Sequence, residues 1–257
     1  MPHDAMARAL VMEAPRRLVV REFPLREYQY LAPDSMVLPV PDVLDSVVAT
    51  LFNPLGAGIR WGVTVPGTKS GDVVAVLGPG IRGLCAAAAA KQAGAGFVMV
   101  TGLGPRDADR LALASKFGAD LAVDVAVDDP VGALSKATGT MADVVVDVTA
   151  RAPAAFGQAI ALARPAGTVV VAGTRGFGSG APGFSPDMLV FKELRVVGAL
   201  GVDVTAYRAA LDLLKSRRYP CESLPRRRVR LEDAEELLAT MAGECDGVPP
   251  VHGVLTP

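Results

Sequence analysis

Through the middle of the chain, short runs of apolar residues alternate with stretches in which apolar residues recur every three or four positions. The runs lie at 73–77, 97–101, 121–124, 143–148, 168–172 and 194–198, each followed by turn-forming residues. Most are continuous, as in Val144-Val145-Val146 and Val169-Val170-Val171, and continuity rather than alternation predicts strands covered on both faces. Helices are predicted between them over 107–117, closed by Gly118, over 129–138, closed by Gly139, and over 153–164, with Phe156, Ile160 and Ala163 on one stripe. A Gly/Pro-rich stretch, 173–183, and a short helical turn with Ser185 as N-cap and Pro186 as first residue join the last two strands. The alternation predicts an α/β fold class, a doubly wound parallel sheet in the order 3-2-1-4-5-6.

Two flanks lie outside this core. Residues 9–12 and 18–22 pattern as a hairpin around Glu13-Ala14-Pro15-Arg16-Arg17, and 28–40 is strand-like with breaks at Pro33, Pro39 and Pro41. Toward the other end, 205–219 reads as an amphipathic helix with Tyr207, Ala210, Leu211 and Leu214 inward and Lys215, Arg217 and Arg218 in its last turn. A second helix, 231–242, places Ala234, Leu237, Leu238 and Met241 inward, and 251–255 returns as a terminal strand. The expected division is 1–40, then 41–203 for the sheet domain, then 204–257 for helices and a strand that rejoin the N-terminal part.

The chemistry concentrates after the first strand, where Gly78-Pro79-Gly80-Ile81-Arg82-Gly83 leads into an Ala-rich helix. In a GxGxxG turn each glycine removes a Cβ at a different point: the sharp turn, the approach of a pyrophosphate, and helix-to-strand packing. The phosphates would sit on the helix N-terminus, where free N–H groups and the macrodipole favour negative charge. Taken alone the motif also reads as a turn that binds nothing; its setting between a strand, a small-residue helix and a second strand selects the nucleotide reading. In the expected order the switch point falls between the first and fourth strands, so the fingerprint faces Asp147-Val148-Thr149 across one crevice, with Gly173 ending the neighbouring strand. Asp147 has a second reading, as the cap of the following helix.

The 257 residues carry a net charge of -1, which gives no electrostatic reason to expect nucleic acid or an anionic membrane. The basic run Arg226, Arg227, Arg228 and Arg230 reads as a solvated strand face. Cys85, Cys221 and Cys245 lie far apart with no CxxC, and with His3 and His252 they build neither a disulfide framework nor a zinc cluster. No apolar run reaches membrane-spanning length, and residues 1–12 lack the order of a signal peptide, so a cytoplasmic protein is expected.

In combination, these motifs resemble the medium-chain dehydrogenase/reductase family, the zinc alcohol dehydrogenase-like group. Ala7-Arg8-Ala9-Leu10-Val11 with Leu18-Val19-Val20-Arg21-Glu22 is similar to the family's first hairpin, and Pro66-Gly67 with Gly71-Asp72 to its turn into the nucleotide domain. The fingerprint, Gly118-Ala119-Asp120, Asp143-Val144-Val145-Val146-Asp147 and Arg164-Pro165-Ala166-Gly167-Thr168 follow, and Glu193-Leu194-Arg195-Val196-Val197-Gly198 and Leu231-Glu232-Asp233-Ala234 fit the tail. The resemblance implies a Rossmann domain with a reduced GroES-like remnant formed by the two termini. Where the family carries most of a GroES-like catalytic domain, with a Cys, a His-Glu pair and often a four-cysteine lobe, Glu27 is here followed at once by Tyr28-Gln29-Tyr30. Asn53, in Asn53-Pro54-Leu55-Gly56, stands where zinc-using relatives often place a glutamate, and an amide is a poor zinc ligand. Neither zinc site carries over onto a residue of this chain, so no metal ligand and no catalytic residue is assigned. Tyr28, Tyr30, Asn53 and Thr174 are conceivable hydrogen-bond donors to a substrate oxygen, each with a structural reading beside it.

The implied function is a zinc-independent, NAD(P)-dependent oxidoreductase acting on a small carbonyl or activated alkene. Beside it stand a cofactor-retaining epimerase or cyclase without net redox, and a non-catalytic nucleotide-binding module. The expected cofactor site is Gly78, Gly80, Ile81, Gly83, Thr101, Gly102, Arg106, Asp147, Thr149 and Gly173. NAD sites usually end the second strand in an acid that bonds the ribose and repels a 2′-phosphate. Here Thr101-Gly102 ends it and Arg106 follows, so NADP is expected over NAD. The expected partner is a small-molecule substrate, with no nucleic acid and no membrane. In the resembling family the sixth strand commonly pairs with its two-fold mate, which implies a homodimer through 194–198.

Overall fold

The computed structural model describes residues 6–24, 32–33, 35–245 and 248–256. They fall into two compact units, a smaller one from Met1–Pro39 and Ser223–Pro257 and a larger one, Val40–Glu222. The smaller unit begins with β1 (Met6–Ala14) and β2 (Arg17–Pro24), an antiparallel hairpin in which Met12 faces Leu18. Tyr28 and Tyr30 lie outside the described residues, and 35–40 forms no strand. Proline withholds a backbone donor, and Pro39 and Pro41 close that stretch.

The larger unit opens with α1 (Ser46–Ala49), capped by the Asp45 carboxylate, and α2 (Phe52–Ile59), which runs on into a π-turn over Arg60–Thr64. Strands and helices then alternate: β3 (Val73–Leu77), α3 (Ile81–Gln92), β4 (Phe97–Gly102), α4 (Gly104–Ala114) and β5 (Leu121–Asp124). The second half follows with α5 (Pro130–Thr138), β6 (Ala142–Asp147), α6 (Ala154–Leu162), β7 (Ala163–Val171), α7 (Asp187–Phe191), β8 (Arg195–Gly198) and α8 (Val204–Lys215). All six strands pair in parallel in the order β5-β4-β3-β6-β7-β8. This is the doubly wound order that the alternation predicts, and the continuous valine runs are its buried centre: Val74, Val76, Val145, Val146, Val169 and Val170 expose nothing.

Several boundaries differ for local reasons. The helix predicted from 107 starts at Gly104, with Pro105 in its first turn, where a missing N–H is harmless. The helix predicted to 164 ends at Leu162, and β7 begins without a loop at Ala163, which pairs with Ala142. Lys192 fixes that end: its ammonium donates to the carbonyls of Ile160, Ala161 and Ala163 at 2.9, 2.9 and 2.8 Å, satisfying acceptors that a helix C-terminus leaves over. Pro186, expected to open the next helix, is instead its N-cap. The helix predicted to 219 stops at Lys215, so Arg217 and Arg218 lie beyond it. That helix, expected with the C-terminal part, sits in the larger unit, where Ala210, Leu211 and Leu214 are buried and Tyr207 meets Phe52 of α2 at 4.9 Å between ring centroids.

The smaller unit closes with β9 (Arg226–Arg230), α9 (Ala234–Ala242) and β10 (His252–Thr256), the two strands pairing in parallel. Ala234, Leu237 and Thr240 are the buried stripe of α9, whereas Leu238 and Met241, expected inward, are exposed. That stripe packs on β2, β9 and β10. No helix among the described residues is long and apolar enough to cross a membrane.

His252 gives this unit a pH dependence. Burial, and then the Arg226 guanidinium, hold its imidazole below the usual histidine range. The unfolded chain takes up that proton below about pH 6.5, while the folded imidazole stays neutral to lower pH. The stability it contributes is therefore present above the unfolded value and lost as pH falls through the folded one. Hydrogen exchange of β10 should accelerate from about pH 7.5 to about pH 5.5, beyond its intrinsic pH dependence, and do so less in His252→Gln. An equal acceleration in both proteins would exclude His252 as the cause.

Candidate functional site

The carboxyl ends of β3, β6 and β7 meet at one point. Leu77, Asp147 and Val171 end these strands in register, and the chain turns sharply after each. Gly78 turns with φ +102°, a backbone conformation that side chains resist, and donates its N–H to the Thr101 carbonyl at 3.0 Å. A Cβ on Gly78 would stand 3.2 Å from Thr149 Cγ2, and one on Gly173 only 1.8 Å from the Thr149 carbonyl oxygen. Thr149 is thus wedged between the first turn of the fingerprint and the end of β7.

Gly80 and Gly83 differ in kind. Gly80 is the N-cap of α3 in extended conformation, and a Cβ there would meet nothing within 4 Å. Gly83 is buried, and its Cβ would strike the Gly78 carbonyl at 1.8 Å. No side chain caps α3 and its first turn, Ile81-Arg82-Gly83, carries no acid; α4 and α6 likewise lack a side-chain cap, whereas Asp129 and Asp203 cap α5 and α8. The first turn of α3 therefore offers uncapped N–H groups and the positive end of a helix dipole at the switch point of the sheet.

Asp147 is fully buried, and the reading of it as a helix cap does not hold. It caps no helix, because α6 begins seven residues later at Ala154. One carboxylate oxygen accepts from Thr149 N at 3.0 Å and Thr149 Oγ1 at 2.6 Å; the other pairs with the Arg175 guanidinium. Arg175 escaped the sequence reading. Its other donors reach the carbonyls of Ala152 at 3.2 Å and Gly173 at 3.3 Å, and it lies 5.9 Å over the Phe156 ring. The signal available was a lone arginine two residues beyond Gly173, beside a strand that ends in an acid.

At the other half of the crevice, Thr101 and Gly102 are buried and Arg106 is exposed on the first turn of α4. A Cβ on Gly102 would lie 2.8 Å from Pro79 Cγ and 3.1 Å from Asp107 Cβ. The fingerprint's proline thus occupies the space a strand-end acid would need. The nearby carboxylate is that of Asp107, which accepts from Leu103 N at 3.0 Å and Arg110 Nη1 at 3.2 Å.

Of the conceivable donors, the Asn53 amide donates to the Tyr207 hydroxyl at 2.9 Å, which leaves the phenol proton for another acceptor. Thr174 offers its carbonyl to Arg151 N at 3.3 Å. Burial pushes the Cys85 thiol up, with Cys221 adding to the shift, and a protonated thiol is a poor ligand or nucleophile. Among the described residues no three His, Cys, Asp or Glu side chains come together as a metal site.

Comparison with known proteins agrees with this geometry. The family model for zinc-binding dehydrogenases matches residues 83–216. A probable alcohol dehydrogenase of Mycobacterium tuberculosis is 84% identical over 231 residues, covering 90% of this chain and 63% of that protein. Among solved structures, a zinc-binding dehydrogenase of Sinorhizobium meliloti bound to NADP superposes with a TM-score of 0.72 at 27% identity, over 93% of this chain and 65% of its own. The 2R,3R-butanediol dehydrogenase of Bacillus subtilis gives a TM-score of 0.71 at 28% identity, over 85% of this chain and 60% of its own. The chain spans less than two thirds of the length of each of these.

The glycine environments predict a split in stability. Gly83→Ala and Gly173→Ala each drive a methyl into backbone that cannot yield, and should destabilise by about 3 kcal/mol or more. Gly80→Val places its side chain in open space and should unfold with the wild-type midpoint. Denaturant titration of the three variants checks this, and a stable Gly83→Ala would contradict the packing described.

Proposed function

Because the chain belongs to the zinc-binding dehydrogenases of the medium-chain dehydrogenase/reductase family, we propose that it binds a nicotinamide dinucleotide and works as an oxidoreductase on a small carbonyl or activated alkene, without zinc. The observation that carries the reading is the uncapped first turn of α3, opening beside Gly80 at the switch point of the sheet. There the pyrophosphate would lie on the N–H groups of Ile81, Arg82 and Gly83. Gly78, Thr149 and Gly173 would form the floor under the nicotinamide half, and Thr101, Gly102 and Arg106 the surroundings of the adenosine ribose. When bound, the nicotinamide supplies or accepts the hydride. The protein's own part is to fix that ring and to hold a donor at the substrate oxygen.

NADP is the proposed form. Support comes from Arg106, a cation exposed on the first turn of α4 just after β4, and from the NADP held by the Sinorhizobium meliloti neighbour. Zinc does not fit the donor set of the described residues, in which Cys85 and Cys221 are buried thiols and Cys245 is exposed. A buried thiol with a raised pKa resists the deprotonation that zinc binding requires.

Fluorescence titration should give tighter binding of NADPH than NADH. Arg106→Ala should erase the difference, at a loss of about tenfold for NADPH alone, and Gly80→Val should weaken both while remaining folded. Equal affinities in the wild type would refute the NADP preference. One zinc per chain by elemental analysis would refute the metal-free reading.

We further propose a homodimer through β8. This strand is at the end of the sheet order, Val196 is 38% exposed, and Phe177, Val190, Phe191 and Leu200 add exposed apolar surface nearby in sequence. Unpaired apolar edges invite strand addition. Light scattering during size exclusion should report a dimer, shifted toward monomer by Val196→Lys; a wild-type monomer at micromolar concentration ends the proposal.

A further inference from the structure

The Asp147 carboxylate is fully buried, with both oxygens engaged inside the protein, so it presents no surface for the ligand contact that its place at a strand end suggests. Its partners show what it does instead. Thr149 belongs to the loop after β6 and Arg175 to the loop after β7. The peptide of Gly173 donates to the Asp147 carbonyl at 3.0 Å while its own carbonyl accepts from Arg175 at 3.3 Å. The backbone groups of Thr149 and Gly173 are in contact so close that no Cβ fits between them. Arg175 also holds the Ala152 carbonyl, and across the loop Arg151 N donates to Thr174 at 3.3 Å. The aromatic layer beneath is equally fixed: Phe156 of α6 meets Phe184 edge-on at 4.9 Å between centroids and carries Arg175 at 5.9 Å.

We infer that Arg175 is a positioning residue for the half of the crevice over β6 and β7: paired with Asp147, it sets the spacing of the Thr149 and Gly173 backbone against which the nicotinamide riboside end of the dinucleotide lies. The inference rests on the dinucleotide reading above. In a doubly wound sheet the adenosine half lies over the strands beyond the fingerprint, here β4, and the other half crosses the switch point to the opposite strands. Arg175 touches only the second half. A planar fork that bonds a carboxylate and two carbonyls at once also explains an arginine here, because a lysine ammonium carries no such fixed geometry.

The test separates the two halves by ligand. Wild type, Arg175→Met, Arg175→Lys and the neutral double variant Asp147→Asn with Arg175→Gln are titrated with NADPH and with adenosine 2′,5′-bisphosphate, which lacks the nicotinamide riboside. Arg175→Met should weaken NADPH by about tenfold or more, the equivalent of one charge-assisted hydrogen bond, yet hold the bisphosphate within about twofold. Arg175→Lys should recover part of the NADPH affinity. Should Arg175→Met fail to fold, the double variant carries the test, since it buries no unpaired charge; it should show the same selective loss. Loss of both ligands in parallel, or no loss of NADPH, overturns the inference. A wild-type protein that binds neither ligand overturns the dinucleotide reading instead.

Discussion

Asp147 ends the central strand β6 with no exposed surface, and a carboxylate removed from water in this way is tolerable only when it is paired and hydrogen-bonded. That requirement organises the crevice. Thr149 must fold back to donate twice, Arg175 must reach across from the next strand, and Ala172 and Gly173 must turn so that their N–H groups meet the Asp147 carbonyl at 2.9 and 3.0 Å. The ends of two parallel strands are thus locked through one residue. Deleting one partner of such a buried pair typically costs about 3–5 kcal/mol, against about 0–1 kcal/mol for an exposed pair such as Arg227 with Glu236.

A second constraint acts on α3 from both sides. Gly83 and the run Leu84 to Ala90 are buried, so the helix lies close to the sheet at its fingerprint end. Along its other face Gly58 and Gly62 let α2 and the π-turn approach its backbone: a Cβ on Gly58 would stand 2.5 Å from the Cys85 carbonyl carbon, and one on Gly62 3.2 Å from the Ala86 oxygen. Beside them the Trp61 indole donates to the Gly201 carbonyl at 3.2 Å and lies 6.0 Å beneath the Arg82 guanidinium. Small residues on two faces leave the helix little freedom to shift, since packed interiors tolerate changes of barely a methylene. The position of its first-turn N–H groups relative to β3 is a consequence of that packing.

The strand order and the fingerprint were legible because both are written in short-range terms. Continuous valine runs mark strands buried on two faces, and Gly78, Gly80 and Gly83 stand at fixed spacing in one turn. The partner of Asp147 was hard to read: Arg175 is 28 residues away, and its place two residues beyond Gly173 is the one local hint of the pairing. The end of α6 shows the same limit, because the lysine that closes it lies 29 residues beyond Ala163, in another connection. Leu238 and Met241 illustrate the converse, for helical periodicity finds an apolar stripe but not how wide a surface is available to cover it.

The half of the crevice at the end of β4 shows how one local choice propagates. Pro79 in the fingerprint leaves no room for a side chain at 102, so an acid is excluded there by contact rather than by composition. Carboxylates still lie close by: Asp107 is held by Leu103 N and Arg110, and Asp124 by Gly104 N at 2.7 Å and Ala126 N at 2.9 Å. Both acids accept from backbone N–H groups, whereas Arg106 stands exposed on the first turn of α4. On the proposed reading, a 2′-phosphate would pair with that cation and with the positive end of α4.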